Sequence, residues 1–216
     1  RGDAFQRDPS MVDRAAEHNV MLVAADPEAL TGMVLTGVAS AALSVAPGRL
    51  TVAVASELPP PGSWAGVLTD GLADLLVRRG HRLVSFRSGP DAGGVLDAAL
   101  AEVERRAALD PIALAELGPY LLVVVGGDRV PALRLVEGRY GPEPSTAGET
   151  LRRVLKEGPF VGVHGVVGFT SRTLWSQVLP PKSRQLFVHR FVTQVSEDDT
   201  RELLDASFGH RVMPPG

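Results

Sequence analysis

Apolar runs and helical stripes alternate along this chain. Val20–Val23 is a short apolar run bounded by small residues. A small-residue turn, Ala24–Glu28, follows it, and then comes a segment without charge from Ala29 to Gly48. Arg49–Ala55 alternates and then runs apolar, which predicts a buried strand. Trp64–Arg79 carries Val67, Leu68, Leu72, Leu75 and Leu76 at helical spacing and is closed by Gly80. His81–Phe86 reads as a short strand. Val95–Leu109 reads as a helix with Leu96, Ala99, Leu100 and Val103 on one face and Glu102, Glu104, Arg105 and Arg106 on the other. Pro111–Leu117 adds a turn of helix. Tyr120–Val125 is the most apolar run, too short for a helix and rich in β-branched residues, so it predicts a central parallel strand. Arg129–Thr146 is a loop rich in Gly and Pro. Gly148–Glu157 is a helix stopped by Gly158-Pro159, Val161–Phe169 is a buried strand, and Arg172–Val178 is a short helix before Pro180-Pro181. Gln185–Val195 alternates like a strand with one wet side. Ser196–Asp199 then opens a last helix, Thr200–Phe208, with acids at its positive end.

Strands alternating with helices imply an α/β domain whose mostly parallel sheet is covered on both faces. The chain has 216 residues, 44% of them hydrophobic, which suits one domain with a substantial core. Residues 1–18 are polar and read as a lead-in strand or arm. The chain opens on Arg1 and closes on MPPG, which reads as a piece of a longer protein. The uncharged run Ala29–Gly48 approaches membrane length, but its Gly, Ser, Thr, Pro and Ala content predicts a core helix instead. No signal peptide is expected from the charged Arg1–Glu17 stretch.

A net charge of −3 gives no global attraction to nucleic acid, so DNA contact would need a local patch. The positive charge is nearly all arginine, Lys156 and Lys182 being the two lysines. No cysteine is present, which removes disulfides and thiolate metal sites. His18, His81, His164, His189 and His210 lack metal-binding spacing. There is no nucleophile elbow, and Trp64 and Trp175 read as packing anchors.

Apolar strand, tight turn and buried helix are how a phosphate-binding loop begins. The pattern GxxxxGK[ST] laid on Ala24–Thr31 puts alanines at both glycines (Ala24 and Ala29) and Leu30 at the lysine. Of the pattern's working residues Thr31 alone survives. Asp26 and Glu28 place negative charge beside the same turn. The expectation is the scaffold of a nucleotide site without its chemistry.

Three segments resemble the FtsK/SpoIIIE family of RecA-like motor domains. LRRVLKEGPFVGVHGVVGF, Leu151–Phe169, resembles the family's helix, Gly-Pro stop and nucleotide-sensing strand. HRFVTQVSEDDTRELLD, His189–Asp205, resembles its late strand and helix, with Thr200-Arg201 in the Ser-Arg position. YLLVVVGGDRVPALR, Tyr120–Arg134, stands at the Walker B strand. The likeness is greatest to the degenerate domains of this type in large actinobacterial proteins. It implies a three-layer RecA-like P-loop fold and a cytoplasmic place for the domain. It also implies other domains or subunits, or a protein, as partners, and DNA only within an assembled ring. Relatives in type VII secretion handle protein. In this family the Walker B strand ends on an acid that holds Mg²⁺; here Gly126-Gly127 stands there and Asp128 follows late. The polar sensor falls on Thr170 or Ser171. Arg172, Arg190 and Arg201 are candidates for contacts between subunits.

These readings define a degenerate nucleotide site at Ala24, Asp26, Ala29, Leu30, Thr31 and Asp128. No catalytic residue, metal ligand or cofactor is assigned. The function expected is a structural, regulatory or partner-docking unit of a translocase-like assembly. The alternative is an active ATP-driven translocase of DNA or protein that uses ATP and Mg²⁺. Within the sheet, Val20–Val23 is expected between Tyr120–Val125 and Val163–Gly168.

Overall fold

The computed structural model describes residues 19–56, 64–87, 92–139, 141–171, 175–193 and 195–204. Strand β1 (Val20–Ala24) runs into helix α1 (Pro27–Ser44), followed by β2 (Thr51–Ser56), α2 (Trp64–Arg78) and β3 (Arg82–Arg87). Next come α3 (Ala92–Ala107), α4 (Pro111–Glu116) and β4 (Tyr120–Val125). A small hairpin of β5 (Val136–Gly138) and β6 (Gly141–Glu143) precedes α5 (Thr146–Glu157) and β7 (Val163–Phe169). The last described elements are β8 (His189–Thr193) and α6 (Glu197–Leu204).

Six strands form one sheet in the order β3-β2-β4-β7-β1-β8, and every neighbouring pair is parallel. Side chains alternate across it, as strand geometry requires. Val20, Leu22, Leu121 and Val123 point to a core with Leu30, Val34 and Val38 of α1 and Leu76 of α2. Met21, Val23, Leu122 and Val124 point to a second core with Val95, Leu96 and Val103 of α3 and Leu151, Val154 and Leu155 of α5. Both sheet faces are therefore covered, and the architecture is the expected three-layer α/β sandwich.

The neighbour order differs from the sequence-based expectation. β7 stands between β4 and β1, pairing Val123 with Val166 on one side and Val20 with Val166 on the other. All three strands are buried runs, so hydropathy does not rank them. What suits β7 to the middle is glycine on each face. A Cβ at Gly165 would meet Leu155 Cδ2 of α5 at 2.2 Å, and one at Gly168 would meet Leu30 Cδ1 of α1 at 3.0 Å. Both helical layers press into this strand.

Two buried polar side chains stitch elements together. Asn19 Nδ2 donates to the carbonyls of Leu155 and Leu186 at 2.7 and 2.9 Å, and its Oδ1 accepts from Gly165 N–H at 2.7 Å. His81 Nδ1 accepts from Leu50 N–H at 3.3 Å, and its Nε2 faces the Ala42 carbonyl at 2.9 Å. That assigns the neutral Nε2–H tautomer, which joins α1 to the start of β2.

Several boundaries moved. The long strand expected over Gln185–Val195 is a 3₁₀ turn, Pro181–Leu186, and the five-residue β8. The loop expected over Arg129–Thr146 contains the β5–β6 hairpin. Residues 172–174 of the expected Arg172–Val178 helix lie outside the described residues, and the rest is largely a turn in which Trp175 and Val178 are buried. α1 buries its inner face, and no helix among the described residues is long and apolar enough to cross a membrane.

Candidate functional site

In open parallel sheets, ligands are taken at the C-terminal ends of the strands, where the topology switches direction. Here that crevice is bounded by the ends of β1, β4 and β7 and by the start of α1. The residues picked from sequence meet there: Ala24 ends β1, Asp26, Ala29, Leu30 and Thr31 open α1, and Asp128 follows β4.

Two residues, Ala25 and Asp26, separate β1 from α1. The eight positions of the phosphate-loop pattern are thus the last strand residue, a two-residue turn and five helical residues. No extended loop exists to wrap a polyphosphate. The helix start is closed by its own chain. Pro27, the first helical residue, has no N–H. Asp26 is the N-cap and its carboxylate accepts from Glu28 N–H at 3.0 Å and Ala29 N–H at 3.4 Å. Leu30 N–H goes to the Asp26 carbonyl at 3.0 Å. Every first-turn amide that would face a bound phosphate already has a partner. The Asp26 carboxylate and Glu28 also satisfy the positive end of the helix dipole.

Leu30 does not face the crevice. It is 1% exposed and packs on Gly168 in β7. The Thr31 hydroxyl is turned inward along the helix and donates to the Pro27 carbonyl at 2.8 Å. Such back-bonding is what a helical Thr does when no ligand engages it.

The opposite wall is more polar. After β4 the chain turns through Gly126 at φ 62°, a left-handed conformation that glycine adopts without strain. A 3₁₀ turn over Gly127–Arg129 follows and carries Asp128 back beneath the sheet end. Asp128 is 3% exposed, and its two oxygens accept from Thr170 N–H at 2.9 Å and Thr170 Oγ1–H at 2.7 Å. The late acid and the sensor-position threonine therefore clamp each other across the ends of β4 and β7. Reading Asp128 only as a late acid after the strand misses this contact; the pattern that could have found it is an acid after β4 facing a hydroxyl after β7.

ATP and Mg²⁺, which a fold of this kind implies, do not fit these residues. The helix amides are consumed, the lysine position is apolar and buried, and both Asp128 oxygens are engaged by Thr170. Among the described residues no cluster of His, Cys, Asp and Glu could hold a metal ion. Of the arginines, Arg172 lies outside the described residues. Arg190 Nη1 donates to the Leu203 carbonyl at 2.9 Å. Arg201 sits 3.3 Å from Glu197 and 3.6 Å from Asp198 on exposed helix surface.

Sheet order, two-sided helical cover and a strand–turn–helix at the switch point define the α/β fold of P-loop ATPase domains. Among solved structures, the chain is similar to the cytoplasmic domain of the type VII secretion ATPase EccC from Thermomonospora curvata. The TM-score is 0.59 at 14% identity, over 85% of this chain and 21% of that one. The likeness therefore carries the fold, and the chain spans about a fifth of the length of EccC's cytoplasmic domain. No protein-family model matches the sequence, and no curated protein does.

Proposed function

We propose that this chain is a nucleotide-silent domain of the FtsK/SpoIIIE type, serving as a structural, regulatory or partner-docking unit of a larger translocase-like assembly. The observation that carries the reading is the self-capped start of α1. The Asp26 carboxylate occupies the amides to which a phosphate would bind, and it brings negative charge to that spot. Phosphoryl transfer rests on positioning and electrostatic stabilisation of a highly charged group. A site with an acid for an anion hole and leucine for the ammonium supplies neither. Similarity to a secretion ATPase that is far longer than this chain supports a role beside other domains.

Titration with Mg-ATP by calorimetry and a phosphate-release assay test this directly. The expected result is no binding heat and no release. Phosphate release that disappears in Thr31→Ala or Asp128→Ala would establish the alternative, an active translocase domain using unorthodox residues.

A further inference from the structure

The first residues of three neighbouring strands form a row at the end of the sheet opposite to the crevice. Arg82 of β3, Thr51 of β2 and Tyr120 of β4 are paired in register. Tyr120 lies in the core beneath α3 and α5, as does Ala53 two residues after Thr51, and Val84 two residues after Arg82 packs against it. Side chains alternate along a strand, so the whole row faces that side. Adjacent strands stand about 4.8 Å apart, which sets Arg82 and Tyr120 about 10 Å apart with the short Thr51 between them. Two long side chains flanking a short one make a notch with a hydroxyl at its floor. Thr51 is half-buried, Arg82 is exposed, and β3 is outermost in the sheet among the described residues, so the notch opens at the sheet margin.

The notch is rich in unmatched positive charge. Arg49 precedes Leu50, which packs in the opposite core, and its guanidinium donates to the Glu116 carbonyl in the segment leading to Tyr120. Neither Arg49 nor Arg82 has a carboxylate partner among the described residues. On the α3 side, Glu102 already accepts from Arg105 at 2.8 and 2.7 Å and from Arg106 at 2.6 Å. The Tyr120 phenol is pushed above its ordinary pKa by burial and then by Glu102, while Arg82 and Arg106 act the other way. Arg82 therefore stands close enough to act on the phenol oxygen, and the phenol stays a neutral donor.

We propose that this notch binds a carboxylate of a partner protein, with Arg82 and Arg49 supplying charge and the Tyr120 and Thr51 hydroxyls supplying further donors. A guanidinium presents parallel N–H groups that match the two oxygens of a planar carboxylate. A doubly charged phosphate suits the place less, because the field of Glu102 reaches the phenol and opposes a second negative charge. The inference deepens the partner-docking reading above and rests on it. The two fail separately: Mg-ATP binding would defeat the nucleotide-silent reading at Asp26 and Asp128, at the other end of the strands, while the notch is read by peptide alone.

The test is a titration of the intact 216-residue chain followed by amide and arginine Nε–H chemical shifts. One probe is tetraglutamate blocked at both ends, which offers side-chain carboxylates. Another is tetraglycine with a free C-terminus, which offers a terminal one. Saturable shifts at Thr51, Arg82 and Tyr120 are expected with at least one probe, and the probe that gives them identifies the source of the carboxylate. Blocked tetraglutamine is expected to give none. Arg82→Gln should weaken binding about ten-fold, and Tyr120→Phe, which keeps the ring in the core, about three-fold. Absence of saturable shifts with both acids, equal shifts with tetraglutamine, or unchanged affinity in a folded Arg82→Gln variant would overturn the proposal. So would inorganic phosphate that binds the same residues more tightly than either peptide.

Discussion

Replacing Asp26 by alanine separates the two consequences of the self-capped helix. The carboxylate bonds Glu28 N–H and Ala29 N–H, so its loss leaves both without a protein partner. An N-cap of this kind contributes about 1 kcal/mol. Its charge at the helix start adds roughly 0.3–1 kcal/mol in exposed surroundings. Asp26→Ala should therefore cost about 1.5–2 kcal/mol, which for a domain of this size lowers Tm by about 3–8 °C. Asp26→Asn keeps an accepting oxygen and should lose only the charge contribution. Thermal unfolding of the three proteins, with and without inorganic phosphate and Mg-ATP, provides the assay. Phosphate should stabilise Asp26→Ala more than the parent, because the freed amides now face an anion. Mg-ATP should shift neither, since Leu30 remains buried and the Thr31 hydroxyl remains bonded to Pro27. The reasoning fails if Mg-ATP raises the Tm of the parent protein. A ligand at a hundred times its Kd stabilises by about 2.7 kcal/mol, a shift far above error.

Leu30→Lys should not create ATP turnover in a phosphate-release assay, and it should destabilise by about 2 kcal/mol or more, because the ammonium would enter a core site against β7. Gly118→Ala places a Cβ 1.6 Å from the Arg49 carbonyl oxygen, so urea denaturation should show a loss of about 3 kcal/mol or more, and a loss within error would contradict the packing. Glu102 is held down to about 2, first by its hydrogen bond from Arg105 and then by the buried Arg106 beside it. Its folded value lies below the ordinary glutamate value of 4.5, so this stabilisation is full above that value and is lost as pH falls toward 2. After allowance for solvent screening the loss is about 1–2 kcal/mol, and Glu102→Gln should flatten the stability difference between about pH 6 and about pH 3. With a net charge of −3, the chain should bind duplex DNA only weakly in fluorescence polarisation near physiological salt; sub-micromolar binding there would reveal a local arginine patch.

The fold was legible because its signals are periodic. Val20–Val23, Tyr120–Val125 and Val163–Phe169 are apolar on both faces, and a parallel sheet under two helical layers is the arrangement that buries them so. Neighbour order was not legible, since all three runs read alike and the deciding glycines act through distant Leu155 and Leu30. Within the site, the departures of Ala24, Ala29 and Leu30 from the phosphate-loop pattern are visible in the spacing. The contacts these residues and their neighbours make could not be read there. Asp26 was seen as a repelling charge, but its hydrogen bonds depend on the turn being two residues long. The Asp128–Thr170 clamp joins residues 42 positions apart, and Asn19 reaches residues 136, 146 and 167 positions away. Contacts at such range are set by topology, which no local pattern encodes.

On the proposed reading, the start of α1 and the end of β4 are closed by partners from within the chain. Removing glycine and lysine from a phosphate loop would leave helix amides and a strand-end carboxylate without partners, and orphaned polar groups of that kind are costly. In this chain each has been given a partner from within. Pro27 removes one amide, Asp26 takes two, and its carbonyl takes the next. Thr170 takes both oxygens of Asp128. These substitutes are mutually consistent, so restoring one ligand-binding group breaks a bond without completing a site. A lysine at 30 meets a closed helix start, and a glycine at 29 meets the Asp26 carboxylate. On the proposed reading, nucleotide binding would require lengthening the β1–α1 turn, removing Asp26 and freeing Asp128 together. The contacts that close the site also contribute to the stability of the domain, so opening it should cost stability.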